Sequence, residues 1–178
     1  RLEDEEKPGL ELYALNLGSN TSYNLWNRPQ VLSQKLLSPE QNFEVSLDGR
    51  ALAEDNAAGL VILGASYMSV RLEKEKDNCF LSLVRADNME EETVLERSIW
   101  TGSEICFGLD VSPKNQAGEA LARFYYRVEG KKTYFDEEEI LKSHTWTGAR
   151  VGIYAISKSL KSQGKALFRD FEVRSLEE

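Results

Sequence analysis

Trp146–Val173, WTGARVGIYAISKSLKSQGKALFRDFEV, is the stretch that decides the fold. Along it, Arg150–Ile156 and Ala166–Arg174, the latter ending one residue past it, alternate apolar with polar or small residues. A period of two places successive side chains on opposite faces, so each run reads as a half-buried strand. The intervening Lys158–Gly164 is polar and reads as their connection. Two such strands joined by a short polar link are expected to form the closing hairpin of an antiparallel β-sandwich.

Outward from that stretch the same alternation recurs over Leu10–Leu15, Val31–Leu37, Phe43–Leu47, Gly59–Leu63, Tyr67–Lys74, Cys79–Arg85, Val94–Trp100, Ile105–Val111 and Ala120–Val128. With the closing pair, eleven strands are expected. Asp48-Gly49, Asp77-Asn78 and Glu129-Gly130 mark turns between them, and a spacing of roughly 8–12 residues is the rhythm of antiparallel meanders. In Ala120–Phe135, ALARFYYRVEGKKTYF, the residues Phe124, Tyr126 and Val128 share a face, Glu129-Gly130 supplies the turn, and Tyr134-Phe135 begins the return. Asp136–Lys142, DEEEILK, carries acid at its start and lysine at its end; that polarity suits a helix dipole, so one helical turn or a loop is expected. No repeat period emerges, which excludes a propeller for this chain.

Residues 1–9, RLEDEEKPG, have the composition of a linker or frayed end, and residues 10–178 read as one domain. At 41% hydrophobic and 29% charged, the chain can bury a core and is not a disordered segment. A formal net charge of −8 speaks against nucleic acid, whose phosphates call for clustered Lys and Arg. The longest basic cluster, Lys131-Lys132, reads as a solvated turn. No apolar run approaches the roughly 20 residues of a membrane span, so no membrane partner is expected. These residues also contain no secretion leader, and a cytoplasmic location is the expectation. Cys79 and Cys106 lie inside apolar strands and read as buried thiols, while a disulfide between them depends on whether those strands are neighbours.

Five further motifs occur in a characteristic order: Trp26-Asn27-Arg28-Pro29, Ala58-Gly59-Leu60, Tyr126–Lys131, Trp146-Thr147-Gly148-Ala149 followed by Val151-Gly152-Ile153-Tyr154-Ala155, and Phe168 with Asp170-Phe171 at the close. Through most of the chain beyond residue 20 this resembles the C-terminal domain of glycoside hydrolase family 43, the β-xylosidases and α-L-arabinofuranosidases. The resemblance implies an all-β, concanavalin A-like (lectin-like) antiparallel sandwich of jelly-roll type. It departs from the family's pattern at Leu167-Phe168-Arg169, where Asp-Phe-Asp is common, and at Arg150, where an aromatic is usual.

The same resemblance implies that the catalytic carboxylates lie on a five-bladed propeller N-terminal to the sandwich, which would be this domain's partner, with pentose-containing oligosaccharides as substrates. In β-xylosidase members a sandwich loop bounds the terminal sugar pocket with an aromatic ring. Trp146 is the candidate for that ring, because an indole can lie against the apolar face of a pyranose while excluding water. His144, Thr147 and Arg150 are its candidate neighbours at the rim. His144 is the only histidine, so a multi-histidine metal site is excluded. No cofactor is called for; calcium is the one metal considered, with Asp170 as the candidate ligand.

A catalytic pair of carboxylates is not legible. Thirty acidic residues make chance pairs inevitable, and the runs Glu90-Glu91-Glu92 and Asp136–Glu139 read as solvated loops. Three functions stay open at this point: a non-catalytic accessory domain of a glycosidase, an independent carbohydrate-binding module with a platform of exposed rings, and a self-sufficient sandwich hydrolase with clustered carboxylates.

Overall fold

The computed structural model describes residues 8–16, 25–27, 30–36, 40–87, 91–113, 119–141, 148–160 and 163–175. Among these residues twelve strands run β1 (Leu10–Ala14), β2 (Leu32–Lys35), β3 (Gln41–Asp48), β4 (Asn56–Leu63), β5 (Ser66–Glu75), β6 (Asn78–Asp87), β7 (Thr93–Trp100), β8 (Glu104–Pro113), β9 (Ala120–Val128), β10 (Lys131–Leu141), β11 (Arg150–Ser157) and β12 (Gly164–Ser175), with one short 3-10 turn at Leu25–Asn27. They form two antiparallel six-stranded sheets, β1-β12-β3-β8-β9-β10 and β2-β11-β4-β5-β6-β7. Among the described residues no helix is long and apolar enough to cross a membrane.

Alternation explains the packing. Met68, Val70 and Leu72 of β5 meet Phe43, Val45 and Leu47 of β3 and Phe107 and Leu109 of β8 in one buried cluster between the sheets. The opposite face of β5 carries Tyr67, Ser69, Arg71 and Glu73 and is buried as well. There a smaller apolar cluster forms, in which Leu25 sits with Tyr67, Val61 and Tyr154, and Trp26 and Val31 pack on its edge. The second sheet is therefore covered on both faces over part of its width, which accounts for the nearly continuous burial of β4 and β5.

Two expectations are corrected. Arg150–Ile156 and Ala166–Arg174 are strands but not a hairpin: β11 pairs with β2 and β4 in one sheet, β12 with β1 and β3 in the other. The polar link between them crosses the sandwich, and Val151 and Ile153 face Ala166 and Phe168 from opposite sides of the same core. Residues 136–141 are strand rather than helical turn or loop. They complete β10 through a register shift between Tyr134 and Glu138, after which Glu138 to Leu141 pair with Arg123 to Ala120. Such a shift scrambles the period-two signal and so hides a strand from sequence.

The Glu129-Gly130 turn falls as expected, with positive φ at both residues (49° and 80°), the geometry that a tight hairpin requires. Cys79 and Cys106 are free and half-buried, one on each sheet. Burial raises both thiols above their ordinary pKa. Lys131 is exposed, but Lys132 is not merely solvated: its Nζ lies 3.7 Å from the centre of the Tyr125 ring and pairs with Asp110 at 2.7 Å.

Candidate functional site

At one end of the sandwich the inter-sheet face changes from apolar to polar. Along β5 the core-facing series Leu72, Val70, Met68 ends in Ser66; along β6 the series Leu81, Leu83 continues as Arg85 and Asp87. From the other sheet, Glu139 of β10 stands opposite the core residue Ala122 and so points to the same interior. It is 1% exposed. Its Oε1 accepts from the Ser66 hydroxyl, and its Oε2 lies 3.5 Å from Arg85 Nε. Arg85 grips Asp87 with two hydrogen bonds at 3.0 and 3.1 Å, which raises the guanidinium above its ordinary pKa. These groups line a cleft of about 510 Å³ whose other walls include Gly64, Ile140, Leu141 and Ala149.

The cleft lies where the chain leaves β10 and enters β11. His144, Trp146 and Thr147 belong to that connection and fall outside the described residues. Gly148, with φ 68°, and the half-buried Ala149 lead out of it, and Leu36 N donates to Ala149 O at 3.2 Å. Arg150 is exposed at the head of β11, across from Leu63 and Lys35. Asp170 lies in neither place. It is exposed at a bulge of β12 with φ 50° and borders a separate, mostly apolar groove of about 480 Å³ with Leu10, Leu32 and Phe171. Among the described residues no three His, Cys, Asp or Glu side chains are grouped to hold a metal ion.

The second charged cluster was not legible in the sequence. On the outer face of the second sheet Arg71 Nη1 donates to Glu92 Oε2 at 2.7 Å, and Arg71 Nη2 lies 2.5 Å from Glu73 Oε1. The Tyr67 hydroxyl donates to Glu92 Oε1 at 2.6 Å, Ser82 donates to Glu73 Oε2 at 2.9 Å, and the hydroxyls of Ser69 and Tyr154 are 2.7 Å apart. Gly59 makes room for Arg71, since a Cβ there would stand 2.7 Å from that of Arg71. Burial works against the charge of Glu73, yet Arg71, Lys158 and Ser82 outweigh it and hold its carboxyl below the ordinary 4.5. Burial pushes the Tyr154 hydroxyl up to about 12.

Glu92 and Glu139 were both expected in solvated loops; both are instead sealed in polar networks. The available signal was the alternation Ser69, Arg71, Glu73, which marks one face of β5 but reads as a solvent face until something is known to cover it. Chemically the Arg71 cluster is a closed set of ion pairs. Glu92 is held by Arg71, and Glu73 by Arg71 and, at 3.8 Å, by Arg97, which suits a structural tie and leaves neither facing a substrate.

The profile of the β-xylosidase C-terminal concanavalin A-like domain matches residues 4–174. Among solved structures, a bifunctional GH43-CE protein of Bacteroides eggerthii superposes with a TM-score of 0.80 at 19% identity, over 97% of this chain and 22% of that one. An engineered GH43 glycoside hydrolase described as having both endo-xylanase and exo-arabinofuranosidase activity gives 0.80 at 18%, over 94% and 34%. A xylan β-1,4-xylosidase of Bacillus halodurans C-125 gives 0.70 at 17%, over 96% and 34%. The chain thus spans between about a fifth and a third of the length of these proteins. No curated protein sequence matches it.

Proposed function

We propose that this chain, which belongs to the family of β-xylosidase C-terminal concanavalin A-like domains, is the non-catalytic accessory domain of a family 43 type glycosidase, packing on an N-terminal propeller and helping to close its active site. The observation that carries this reading is the family match across nearly the whole sandwich, in a chain that covers only a fraction of its structural neighbours. The reaction it serves is hydrolysis of a terminal xylosyl or arabinosyl residue, with general acid and general base supplied by propeller carboxylates. Trp146 forms part of the pocket wall and excludes water from the terminal sugar, with His144, Thr147 and Arg150 at the same rim.

Two features favour this reading over a self-sufficient hydrolase or a free-standing binding module. Of the described carboxylates that come together, Glu73 and Glu92 are held by Arg71, and Asp87 and Glu139 flank Arg85. Among the described residues the exposed rings Tyr13 and Phe171 sit on β1 and its neighbour β12, and Tyr134 on β10 at the far edge of the same sheet, so the three make no common platform.

The test is the size of the native polypeptide in its source cells, read with an antibody against this domain and followed by pentoside hydrolysis on the captured material. A species several times larger than 20.2 kDa that cleaves nitrophenyl xyloside or arabinofuranoside supports the proposal. A 20.2 kDa species without activity overturns it.

A further inference from the structure

The polar mouth of the sandwich is an unusual place to spend ionisable side chains. Ser66, Arg85, Asp87 and Glu139 occupy core-facing positions, where continuation of the apolar series would have extended the hydrophobic core. Instead the two sheets leave a cleft of about 510 Å³, within the roughly 300–1,000 Å³ range of small-molecule sites.

Its chemistry narrows the ligand. Glu138 is paired with Arg123 at 2.7 Å, which leaves Arg85 facing the two carboxylates of Asp87 and Glu139. Glu137 acts on Arg85 as well, so carboxylates outnumber guanidinium groups here and an anion such as a uronate or phosphate is repelled. The half-exposed Arg85–Asp87 fork presents guanidinium donors beside carboxylate acceptors, an array that matches vicinal hydroxyls, each of which both donates and accepts. Beside it, Ile140 and Leu141 offer apolar surface to the C–H face of a ring.

We propose that the cleft bounded by Ser66, Arg85, Asp87, Glu139 and Ile140 is a subsite for one neutral sugar unit of an oligosaccharide. The assignment of that sugar to a pentose chain rests on the accessory-domain reading, because the cleft adjoins the connection that carries Trp146. In this arrangement one unit of the chain is held by the Arg85–Asp87 fork. Buried Glu139 positions Arg85 from the opposite sheet.

Amide chemical shifts of the full 178-residue chain, ¹⁵N-labelled and titrated with xylotetraose, test this directly. The expected result is a saturable shift of Gly64, Ser66, Arg85 and Asp87, with an affinity weakened about tenfold in Asp87→Asn through loss of one charge-assisted bond. Asp77→Asn, in the exposed β5–β6 turn, is expected to bind as the parent chain does. Arg85→Gln serves as a second variant, and an unchanged amide spectrum in the absence of sugar certifies its fold. Shifts confined to other residues, no saturable shift, or equal affinities for the parent chain and Asp87→Asn would each overturn the subsite. The two proposals fail separately: pentoside hydrolysis without these shifts removes the subsite alone, and these shifts without a larger active parent remove the accessory reading alone.

Discussion

Arg71 and Glu92 stand 21 residues apart in the chain yet meet at 2.7 Å with both side chains over nine-tenths sealed from solvent. Arg71 comes from the middle of β5 and Glu92 from the residues just before β7, so the pair ties the β6–β7 connection down onto the outer face of the second sheet. Removing Glu92 takes one of two carboxylates from the buried Arg71 guanidinium, which keeps Glu73, and takes a carboxylate acceptor from the Tyr67 hydroxyl. Glu92→Ala is expected to cost about 1–3 kcal/mol in urea unfolding, and replacing Arg71, Glu73 and Glu92 together by apolar residues of similar volume is expected to recover most of that loss. A Glu92→Ala variant as stable as the parent would contradict a tight pair.

The Tyr125 ring lies against Gly108 on the neighbouring strand, with its hydroxyl 2.7 Å from both Asn42 Nδ2 and Glu44 Oε1. A Cβ at residue 108 would stand 1.9 Å from Cζ of that ring. Gly108→Ala is expected to destabilise by about 1–3 kcal/mol or more, because the ring must leave its place. Tyr125→Phe is expected to cost about 1–3 kcal/mol through the loss of two hydrogen bonds, while Asn42 keeps Asp110 and Glu44 keeps Arg127. Both are read from the midpoint of thermal or urea unfolding.

Asp48 is held below its ordinary 3.8 chiefly by hydrogen bonds from Arg50. Burial opposes the charge of Glu44, Glu73 and Asp110, but their partners prevail and all three are also lowered. A carboxyl with a folded pKa below its unfolded one contributes stability that is fully present above the unfolded value and is lost as pH falls through the folded one. Stability is therefore expected to be flat on this account above about pH 5 and to fall steadily below about pH 4.5. Asp48→Asn is expected to make that slope shallower in urea titrations between pH 3 and 6.

Raised thiol pKa values and partial burial make Cys79 and Cys106 poor nucleophiles in the folded chain. Labelling with a disulfide reagent at pH 8 is expected to run at least about tenfold slower than for a free thiol and to reach two equivalents in denaturant. Rapid labelling of both sites in buffer would place them at the surface.

On the accessory-domain reading, Trp146→Ala in the full-length protein is expected to lower kcat/KM for a nitrophenyl pentoside by about tenfold or more, near 1.4 kcal/mol of transition-state stabilisation, with the unfolding midpoint unchanged. Equal kinetics for parent and variant would remove the indole from the pocket wall.

Each of the eleven runs expected from alternation contains a strand, Val31–Leu37 only over Leu32–Lys35 with Leu37 outside the described residues, because a side chain's burial in a sandwich follows the local period of two. The twelfth, β10, is legible only at its start, where Tyr134-Phe135 reads as the return of the hairpin, and is hidden beyond it, where a register shift between Tyr134 and Glu138 breaks that period. Of the candidate rim residues, Trp146, His144 and Thr147 were singled out by motif alone; Arg150 and Ala149 show where that segment rejoins β11, beside the cleft. Ser66, Arg85 and Glu139 carried no motif at all, since they converge from three strands of two sheets.

The amino-acid sequence by itself determined the fold class, most strand positions, the Glu129-Gly130 turn and the family, all of which depend on local alternation, turn chemistry or ordered motifs. Tertiary structure alone decided that β11 and β12 belong to different sheets, that Arg71, Glu73 and Glu92 form a sealed cluster, and that the mouth of the sandwich is a polar cleft. The physical reason is that alternation states which face of a strand is buried but not what lies across from it. Pairing partners and charge neighbours are set by contacts between residues as far apart as Ser66 and Glu139, whose meeting no local pattern encodes.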